Sequence, residues 1–190
     1  MKRVIRIILV AAITWFVLTA IVGCVPKIEA KTPDWEACSE NFGDHVCDFK
    51  LVDQQGGEVN LYDHYGKVII LDFSVMWCGP CQIAAKDVDA LVEKFGSENV
   101  VYITVLIEDQ YGNDPDLKDL ELWSKTFGIE SPVLGASRDF LNTTGYNITG
   151  WPTFYFIDQN MILKDQMVGY SSVVLESKVH EILRSADTGL

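Results

Sequence analysis

Positive charge is scarce in this chain. Its 190 residues include 15 Lys and Arg against 27 Asp and Glu, which gives a formal net charge of −12. Proteins that bind nucleic acid neutralise its phosphates with Lys and Arg side chains. So acidic a chain therefore argues against nucleic acid as a partner.

Histidine is also rare, and repeats and long apolar runs are missing. The three histidines, His45, His64 and His180, are scattered, and we expect packed or surface positions for them rather than metal ligation. The sequence has no internal repeat and no low-complexity block. Its most apolar stretch, residues 7–21, has 15 residues, whereas a helix that crosses a bilayer needs about 20.

The beginning of the chain has the pattern of an export signal. Lys2, Arg3 and Arg6 precede the apolar stretch and small residues follow it, as in a secretory signal peptide. The sequence Ile-Val-Gly-Cys at residues 21–24 resembles the lipobox of bacterial lipoproteins, in which the peptide is cleaved before the cysteine and that cysteine carries lipid. An uncleaved membrane anchor and simple secretion are the alternatives.

This resemblance implies three segments: a lipoprotein signal peptide over residues 1–23, a lipidated tether and N-terminal extension over residues 24–44 that begins at Cys24, and a folded domain over residues 45–188. All the alternatives place that domain outside the cytoplasm, and the lipobox resemblance implies a bacterial cell envelope with the domain facing the periplasm. In the lipoproteins that this start resembles, an Asp directly after the lipidated cysteine marks retention in the inner membrane. This chain has Val25 at that position, so the outer membrane is slightly favoured.

Cysteine is limited to five residues, and an odd count in an exported protein needs an explanation. Lipidation of Cys24 leaves two close pairs, Cys38 with Cys47 and Cys78 with Cys81. Outside the cytoplasm close pairs are expected as disulfides. We expect the first pair to be structural, since closing its loop contributes roughly 2.5–3 kcal/mol in the chain-entropy model. The alternative is a relay that passes electrons to or from Cys78.

Hydrophobic periodicity predicts an α/β fold with a central mixed sheet flanked by helices and preceded by a β-hairpin. One helix should follow the first buried strand, because Ala84, Val88, Leu91 and Phe95 share one face. The predicted strands are residues 49–53, 58–61, 68–74, 100–107, 153–157 and 162–168, and two further helices are expected at residues 117–126 and around 175–183.

The sequence Trp77-Cys78-Gly79-Pro80-Cys81 stands where a buried strand passes into a helix. A thiol attacks only as the thiolate, and the unpaired N–H groups of a helix start stabilise that anion. We therefore expect Cys78 to be an exposed nucleophile with a lowered pKa, and Cys81 to lie one turn deeper. Gly79 and Pro80 keep the turn tight, and proline is accepted in the first turn of a helix.

Two other interpretations of this pair stay open. A zinc site needs two more ligands, which Cys38, His45 or Cys47 could nominally supply, but we expect no metal. A purely structural disulfide is the other, although so short a loop suits exchange better than stabilisation.

Residues 68–81 resemble the active-site stretch of thioredoxins, and Gly-Trp-Pro-Thr at residues 150–153 resembles the cis-proline loop of that family. The resemblance covers about residues 45–185 and is nearest to the TlpA-like envelope thiol–disulfide oxidoreductases. It implies a sheet of four or five strands, no cofactor, and attack by Cys78 on substrate disulfides. It also implies that Pro152 is cis and pairs with the substrate backbone.

The resemblance further assigns roles to single residues. Asp72 matches the buried acid of the family, whose pKa desolvation should raise, so that it can exchange protons with Cys81 through water; a structural, hydrogen-bonded Asp is the alternative. Trp77 should shield the thiol, unless it merely packs. The expected substrate contacts are Trp77, Gly79, Pro80, Trp151 and Thr153.

Two positions depart from the family pattern. Lys86 stands where thioredoxins have a helix-kinking proline, so we expect a straighter helix. Ala84 stands where many TlpA-like proteins have a glutamate, so a pH-gating role tied to that glutamate is absent or lies elsewhere.

The resemblance implies protein thiols and disulfides as substrates, apocytochrome c among them, and a membrane partner that recharges the cysteine pair. Cys-Gly-Pro-Cys resembles the reducing members, which favours a reductase. One alternative is a peroxidase of the peroxiredoxin type, but Leu71 and Val75 stand at the Pro and Thr positions of its Pro-x-x-x-Thr-x-x-Cys site. Another is a non-catalytic binding or metallochaperone module.

Overall fold

The computed structural model describes Trp35 and residues 37–188. The expected signal peptide, the lipidation site at Cys24 and most of the tether lie outside the described residues. No helix in the described part of the chain has the length and apolar character needed to cross a membrane.

Within the described residues, seven strands form one mixed sheet, in the order β2-β1-β5-β4-β3-β6-β7. The strands are β1 (Lys50–Asp53), β2 (Glu58–Asn60), β3 (Val68–Val75), β4 (Val100–Glu108), β5 (Val133–Gly135), β6 (Thr153–Ile157) and β7 (Leu163–Val168). The helices are α1 (Gly79–Ala85), α2 (Val88–Phe95), α3 (Leu117–Phe127), α4 (Arg138–Thr144) and α5 (Ser172–Thr188), with a 3₁₀ turn at Leu61–His64. The α/β class with its N-terminal hairpin is confirmed.

The central strands are buried along their whole length. All residues of β3 and β4 are buried, and because successive side chains of a strand point to opposite faces, both faces of the sheet must be covered there. The two strands are parallel, and β6 runs antiparallel on the other side of β3. The carboxyl end of β3 therefore lies beside the beginning of β6.

The expected sheet of four or five strands is too small. The hairpin β1–β2 is not a separate appendage, because β1 pairs antiparallel with β5, as in Val52 with Gly135. The short strand β5 in turn pairs with β4. The hairpin thus extends the central sheet to seven strands.

The expected straight helix after β3 is also wrong, since the structure has two helices, α1 and α2, with a break at Lys86 and Asp87. The amides of Lys86 and Asp87 bond to the carbonyls of Ile83 and Ala84, three residues back. This tighter 3₁₀-type bonding ends the helix without a proline. The hydroxyl of Tyr170 donates to the Asp87 carboxylate (2.5 Å) and holds the break from outside.

Candidate active site

The cysteine pair lies at the junction between β3 and α1. Cys78 is the N-cap of α1 with an extended backbone, and its Sγ accepts a hydrogen bond from the amide of Cys81 (3.2 Å). Pro80 occupies the first turn, where its missing N–H leaves no helical bond unmade. Cys78 and Cys81 form a disulfide in this structure, with Cα atoms 5.2 Å apart.

The two sulfurs differ in accessibility, but less than the sequence predicts. Cys78 is only 6 % exposed, whereas Cys81 is completely buried. The expected exposed nucleophile is therefore nearly covered in the oxidised form, because its bond to the buried Cys81 ties the sulfur to the core. Gly79 and Pro80 beside it are exposed, so Cys78 is still the member of the pair that solvent and substrate can reach.

Asp72 is buried in the middle of β3 with two hydroxyl donors. Ser74 donates to its Oδ1 (2.7 Å) and Tyr102 to its Oδ2 (2.8 Å). Desolvation raises the pKa of Asp72 to about 7, although both hydrogen bonds oppose the rise. Burial also raises the pKa of Tyr102, and the neighbouring Asp72 adds to this. The carboxyl can thus take up or release a proton near neutral pH.

The sequence did not point to Ser74 or Tyr102 as partners of this acid. Ser74 is two residues from Asp72, so both project from the same face of β3; that spacing is a local signal that could have been found. Tyr102 comes from β4, 30 residues away in the chain, and only the pairing of β3 with β4 brings it to Asp72.

The cis-proline loop lies at the same end of the sheet. The Trp151–Pro152 peptide bond is cis, and Thr153, which opens β6, pairs with Phe73 near the end of β3. The Thr153 hydroxyl donates to the Gly150 carbonyl (2.7 Å), and the Thr153 side chain is completely buried. Its expected contact with substrate needs correction, because that side chain is used to hold the loop.

Trp77 and Trp151 are linked by two charged residues that the sequence did not single out. The Trp77 indole is 45 % exposed and donates to Glu108 Oε2 (2.8 Å). Arg138 donates to Glu108 Oε1, and its guanidinium lies 5.9 Å from the centre of the Trp151 ring. The one signal of this connection in the sequence is Glu108 itself, an acidic residue at the end of the apolar strand β4.

The Cys38–Cys47 disulfide lies away from this site. The amide of Val46, next to Cys47, bonds to the Met161 carbonyl (2.9 Å) in the β6–β7 turn. That turn adjoins the beginning of β3, since Ile157 pairs with Ile69. Cys78 follows the other end of β3, about 20 Å away along the strand at the usual rise per residue. The structure therefore does not bring Cys38, His45 or Cys47 to Cys78, as a direct relay or a shared zinc site requires. Within the described residues, no three His, Cys, Asp or Glu side chains cluster as metal ligands do.

Comparison with known proteins agrees with this geometry. Residues 42–166 match the model of the AhpC/TSA family, which is more than half of the chain. The chain belongs to the AhpC/TSA family. Its fold and its relatives make it a TlpA-like member of the thioredoxin superfamily.

The relatives of this AhpC/TSA member include thiol–disulfide oxidoreductases. It is 28% identical to the thiol–disulfide oxidoreductase ResA of Geobacillus kaustophilus over 127 residues, 67% of this chain and 69% of that protein. A structure from Chlorobium tepidum, assigned as thiol:disulfide interchange protein DsbE, superposes with a TM-score of 0.64 at 26% identity, over 76% of this chain and 97% of the other. The exposed lipoprotein thioredoxin of Streptococcus pneumoniae strain TIGR4 superposes with a TM-score of 0.57 at 28% identity, over 71% and 99% of the two chains.

These relatives and the bonded cysteine pair together support thiol–disulfide exchange as the chemistry of this chain. The chain is an enzyme of the disulfide oxidoreductase class, and protein thiols are its class of substrate. One of these relatives, the thioredoxin of Streptococcus pneumoniae, is named as an exposed lipoprotein.

Proposed function

We propose that this enzyme reduces disulfide bonds in exported proteins, with Cys78 as the attacking thiolate and Cys81 as the resolving thiol. The observation that carries the proposal is the hydrogen bond from the Cys81 amide to Cys78 Sγ at the start of α1. An amide N–H aimed at a sulfur, together with the partial positive charge of a helix start, favours the thiolate over the thiol.

The proposed reaction has two exchanges. In the first, the Cys78 thiolate attacks one sulfur of the substrate disulfide, a mixed disulfide forms, and the other substrate sulfur leaves as a thiolate that takes up a proton. In the second, Cys81 loses its proton and attacks Cys78 Sγ, so that the Cys78–Cys81 bond forms and the second substrate sulfur leaves as a thiolate that takes up a proton from water. Two electrons pass from the enzyme to the substrate.

Asp72 is proposed to receive the Cys81 proton, through water, in the second exchange. A base acts best when its pKa lies near the working pH, and the pKa of Asp72 is raised to about 7 by burial. Pro152 and Trp151 are proposed to offer the loop backbone to the substrate chain beside Cys78, with Trp77, Gly79 and Pro80 completing the contact surface.

The setting of the enzyme is part of the proposal. Residues 1–23 would direct export, and lipid on Cys24 would anchor the domain to a membrane facing the periplasm, the outer membrane being slightly favoured. The lipoprotein among the structural relatives supports this. Because each cycle oxidises the pair, a membrane partner must return two electrons. Oxidised envelope proteins and apocytochrome c are the substrates that the resemblance suggests.

Replacing the resolving cysteine tests the mechanism. In a Cys81→Ala variant the second exchange cannot occur, so the mixed disulfide between Cys78 and its substrate should accumulate. We expect covalent adducts on nonreducing gels that dithiothreitol releases and mass spectrometry identifies. A Cys78→Ala variant is the matched control and should give none. Equal adducts in both variants, or none in either, would refute the roles assigned to the pair.

The direction of electron flow is tested by the reduction potential of the Cys78–Cys81 pair. We expect a value near the roughly −270 mV of thioredoxins rather than the roughly −120 mV of strong oxidants. Equilibration with glutathione and dithiothreitol buffers, followed by thiol trapping, measures it. A potential at the oxidising end would make the enzyme a disulfide donor.

Two other functions have direct tests. A peroxidase should consume hydrogen peroxide at the expense of dithiothreitol. However, this chain has Leu71 and Val75 at the positions of the Pro and the Thr in the peroxiredoxin-type site. A metallochaperone should bind metal when reduced and fail to reduce insulin. Reduction of insulin without peroxide consumption or bound metal is the outcome that the proposed function requires.

A further inference from the structure

We propose that Glu108 and Arg138 are positioning residues that hold the Cys78 turn and the cis-Pro152 loop in the arrangement that a polypeptide disulfide needs. Their polar contacts are with each other and with Trp77 and Trp151, which immediately precede Cys78 and Pro152. The inference rests on the proposed disulfide exchange and adds the means by which this chain aligns a protein substrate.

Glu108 is the fixed end of this connection. It ends β4, is only 6 % exposed, and pairs with Val75 at the end of β3. Its carbonyl also accepts the amide of Met76 (3.0 Å), so that its backbone is bound to the segment leading to Cys78. One carboxylate oxygen takes the Trp77 indole N–H and the other takes Arg138. Both oxygens of a nearly buried carboxylate are thus satisfied, as burial of a charge requires.

Arg138 carries the connection to the other loop. As the first residue of α4, it reaches Glu108 through Nε and Nη2 while its guanidinium lies over the Trp151 ring. A planar guanidinium can bind a carboxylate and stack on an aromatic ring at once, which a Lys ammonium cannot do equally well. Arg138 and Trp151 also line a cavity of about 450 Å³ beside the cis-proline loop.

The four side chains therefore form one continuous series of contacts, from Trp77 through Glu108 and Arg138 to Trp151. A protein substrate must meet the Cys78 sulfur and the Pro152 loop at the same time, so its rate depends on their relative placement. A small disulfide needs only the sulfur. Loosening the series should consequently slow exchange with polypeptides selectively.

Two substrates measured on the same variants test this. For Arg138→Ala we expect kcat/KM for insulin reduction, with dithiothreitol as reductant, to fall about tenfold. The rate at which the reduced variant reacts with 5,5′-dithiobis(2-nitrobenzoate) should stay within about twofold of wild type, because that reagent needs no loop contact. Arg138→Lys should recover part of the insulin rate. Glu108→Gln keeps an acceptor for the indole but loses the ion pair, so it should show a smaller loss with the same selectivity.

The control is the exposed Glu121–Lys125 ion pair on α3, where Glu121→Gln and Lys125→Ala should leave both rates unchanged. The inference would be overturned if the insulin rate and the 5,5′-dithiobis(2-nitrobenzoate) rate fell in parallel. It would also be overturned if the insulin rate fell in none of the variants Arg138→Ala, Arg138→Lys and Glu108→Gln. Because Arg138→Ala leaves the Glu108 charge unpaired, the Glu108→Gln/Arg138→Ala double variant repeats the comparison without that charge and must show the same selectivity. A wild-type enzyme that reduces neither disulfide would overturn the proposed function, and this inference with it.

Discussion

At the scale of single residues, the burial of Asp72 makes the stability of the fold depend on pH. Its pKa is raised by burial from 3.8 to about 7, so the folded chain keeps a proton at pH values where the unfolded chain has lost it. Stability therefore falls as pH rises from about 4 to about 7. One pKa unit is worth about 1.4 kcal/mol, so the ionised carboxyl lowers the free energy of unfolding by roughly 4 kcal/mol at pH 8.

Asp72→Asn should remove this penalty. We expect the oxidised variant to be more stable than wild type by about 2–4 kcal/mol at pH 8 and by much less at pH 4, since the amide does not ionise and loses part of the hydrogen bonding. Urea unfolding at both pH values measures the difference. Asp114→Asn, at an exposed position, is the control and should show no such gain. An Asp72→Asn variant less stable than wild type at pH 8 would contradict the burial argument.

At this scale, the sequence carries a usable signal where chemistry and local spacing coincide. The Cys-Gly-Pro-Cys turn, the acid inside an apolar strand and the Trp-Pro loop each carry their signal in a few consecutive residues. Tyr102 and Arg138 carry no such signal, and Glu108 carries only that of an acid at the end of an apolar strand. Their partners lie about 30 residues away in the chain and meet them only in the folded structure. The limited exposure of Cys78 also depends on the folded surroundings.

At the scale of elements, one buried side chain replaces part of a strand pairing. Gln54, just after β1, accepts the Val133 amide (2.8 Å) and donates to the Ser131 carbonyl (3.0 Å). It thereby continues the β1–β5 ladder into the segment before β5. Without it, the buried Val133 N–H loses its partner.

Gln54→Ala should therefore lower the free energy of unfolding by about 1–3 kcal/mol. The neighbouring Gln55 is exposed, so Gln55→Ala makes a matched control and should change stability by less than about 0.5 kcal/mol. Chemical denaturation of the two variants side by side is sufficient. Equal stabilities would show that water replaces the Gln54 contacts and that the ladder ends at Asp53.

The helix break, β5 and α4 were not predicted, because hydrophobic periodicity detects neither short turns nor short segments. A continuous apolar face predicted one helix from Ala84 to Phe95, but periodicity does not register a 3₁₀ turn that keeps the apolar face inward while breaking the α-helical bonds. The strand β5 has three residues and the helix α4 has seven, and segments so short carry little periodic signal. Longer segments such as β3, β4 and α3 were located to within one or two residues.

At the scale of the whole molecule, the extent of the sheet depends on one pairing between strands that lie far apart in the chain. The order of elements predicted the α/β class, but not that β1 would join the sheet through β5. The sequence of a strand does not indicate which distant strand it pairs with. As a result the N-terminal hairpin and the redox centre share one sheet. Changes at the hairpin therefore act on the stability of the same unit that carries the cysteine pair.

The Cys38–Cys47 disulfide is the remaining constraint on the N-terminal segment. Between the two cysteines, Gly43 and Asp44 exchange backbone hydrogen bonds with Leu163 at the start of β7, and His45 forms an isolated bridge with Ile162. The bond thus closes a loop whose own backbone is docked on the sheet. This arrangement favours a stabilising role over electron transfer.

A Cys38→Ser/Cys47→Ser variant separates the two roles. If the bond is structural, the variant should lose about 2.5–3 kcal/mol of unfolding free energy, from the closure of a loop of about ten residues. It should nevertheless reduce insulin at the wild-type rate at a temperature where both proteins are folded, because Cys78 and Cys81 keep their surroundings. If the bond is a relay, stability should change little, whereas dithiothreitol should recharge the Cys78–Cys81 pair several-fold more slowly. The distance along β3 between the two disulfides favours the first outcome, since thiol–disulfide exchange requires that the sulfurs touch.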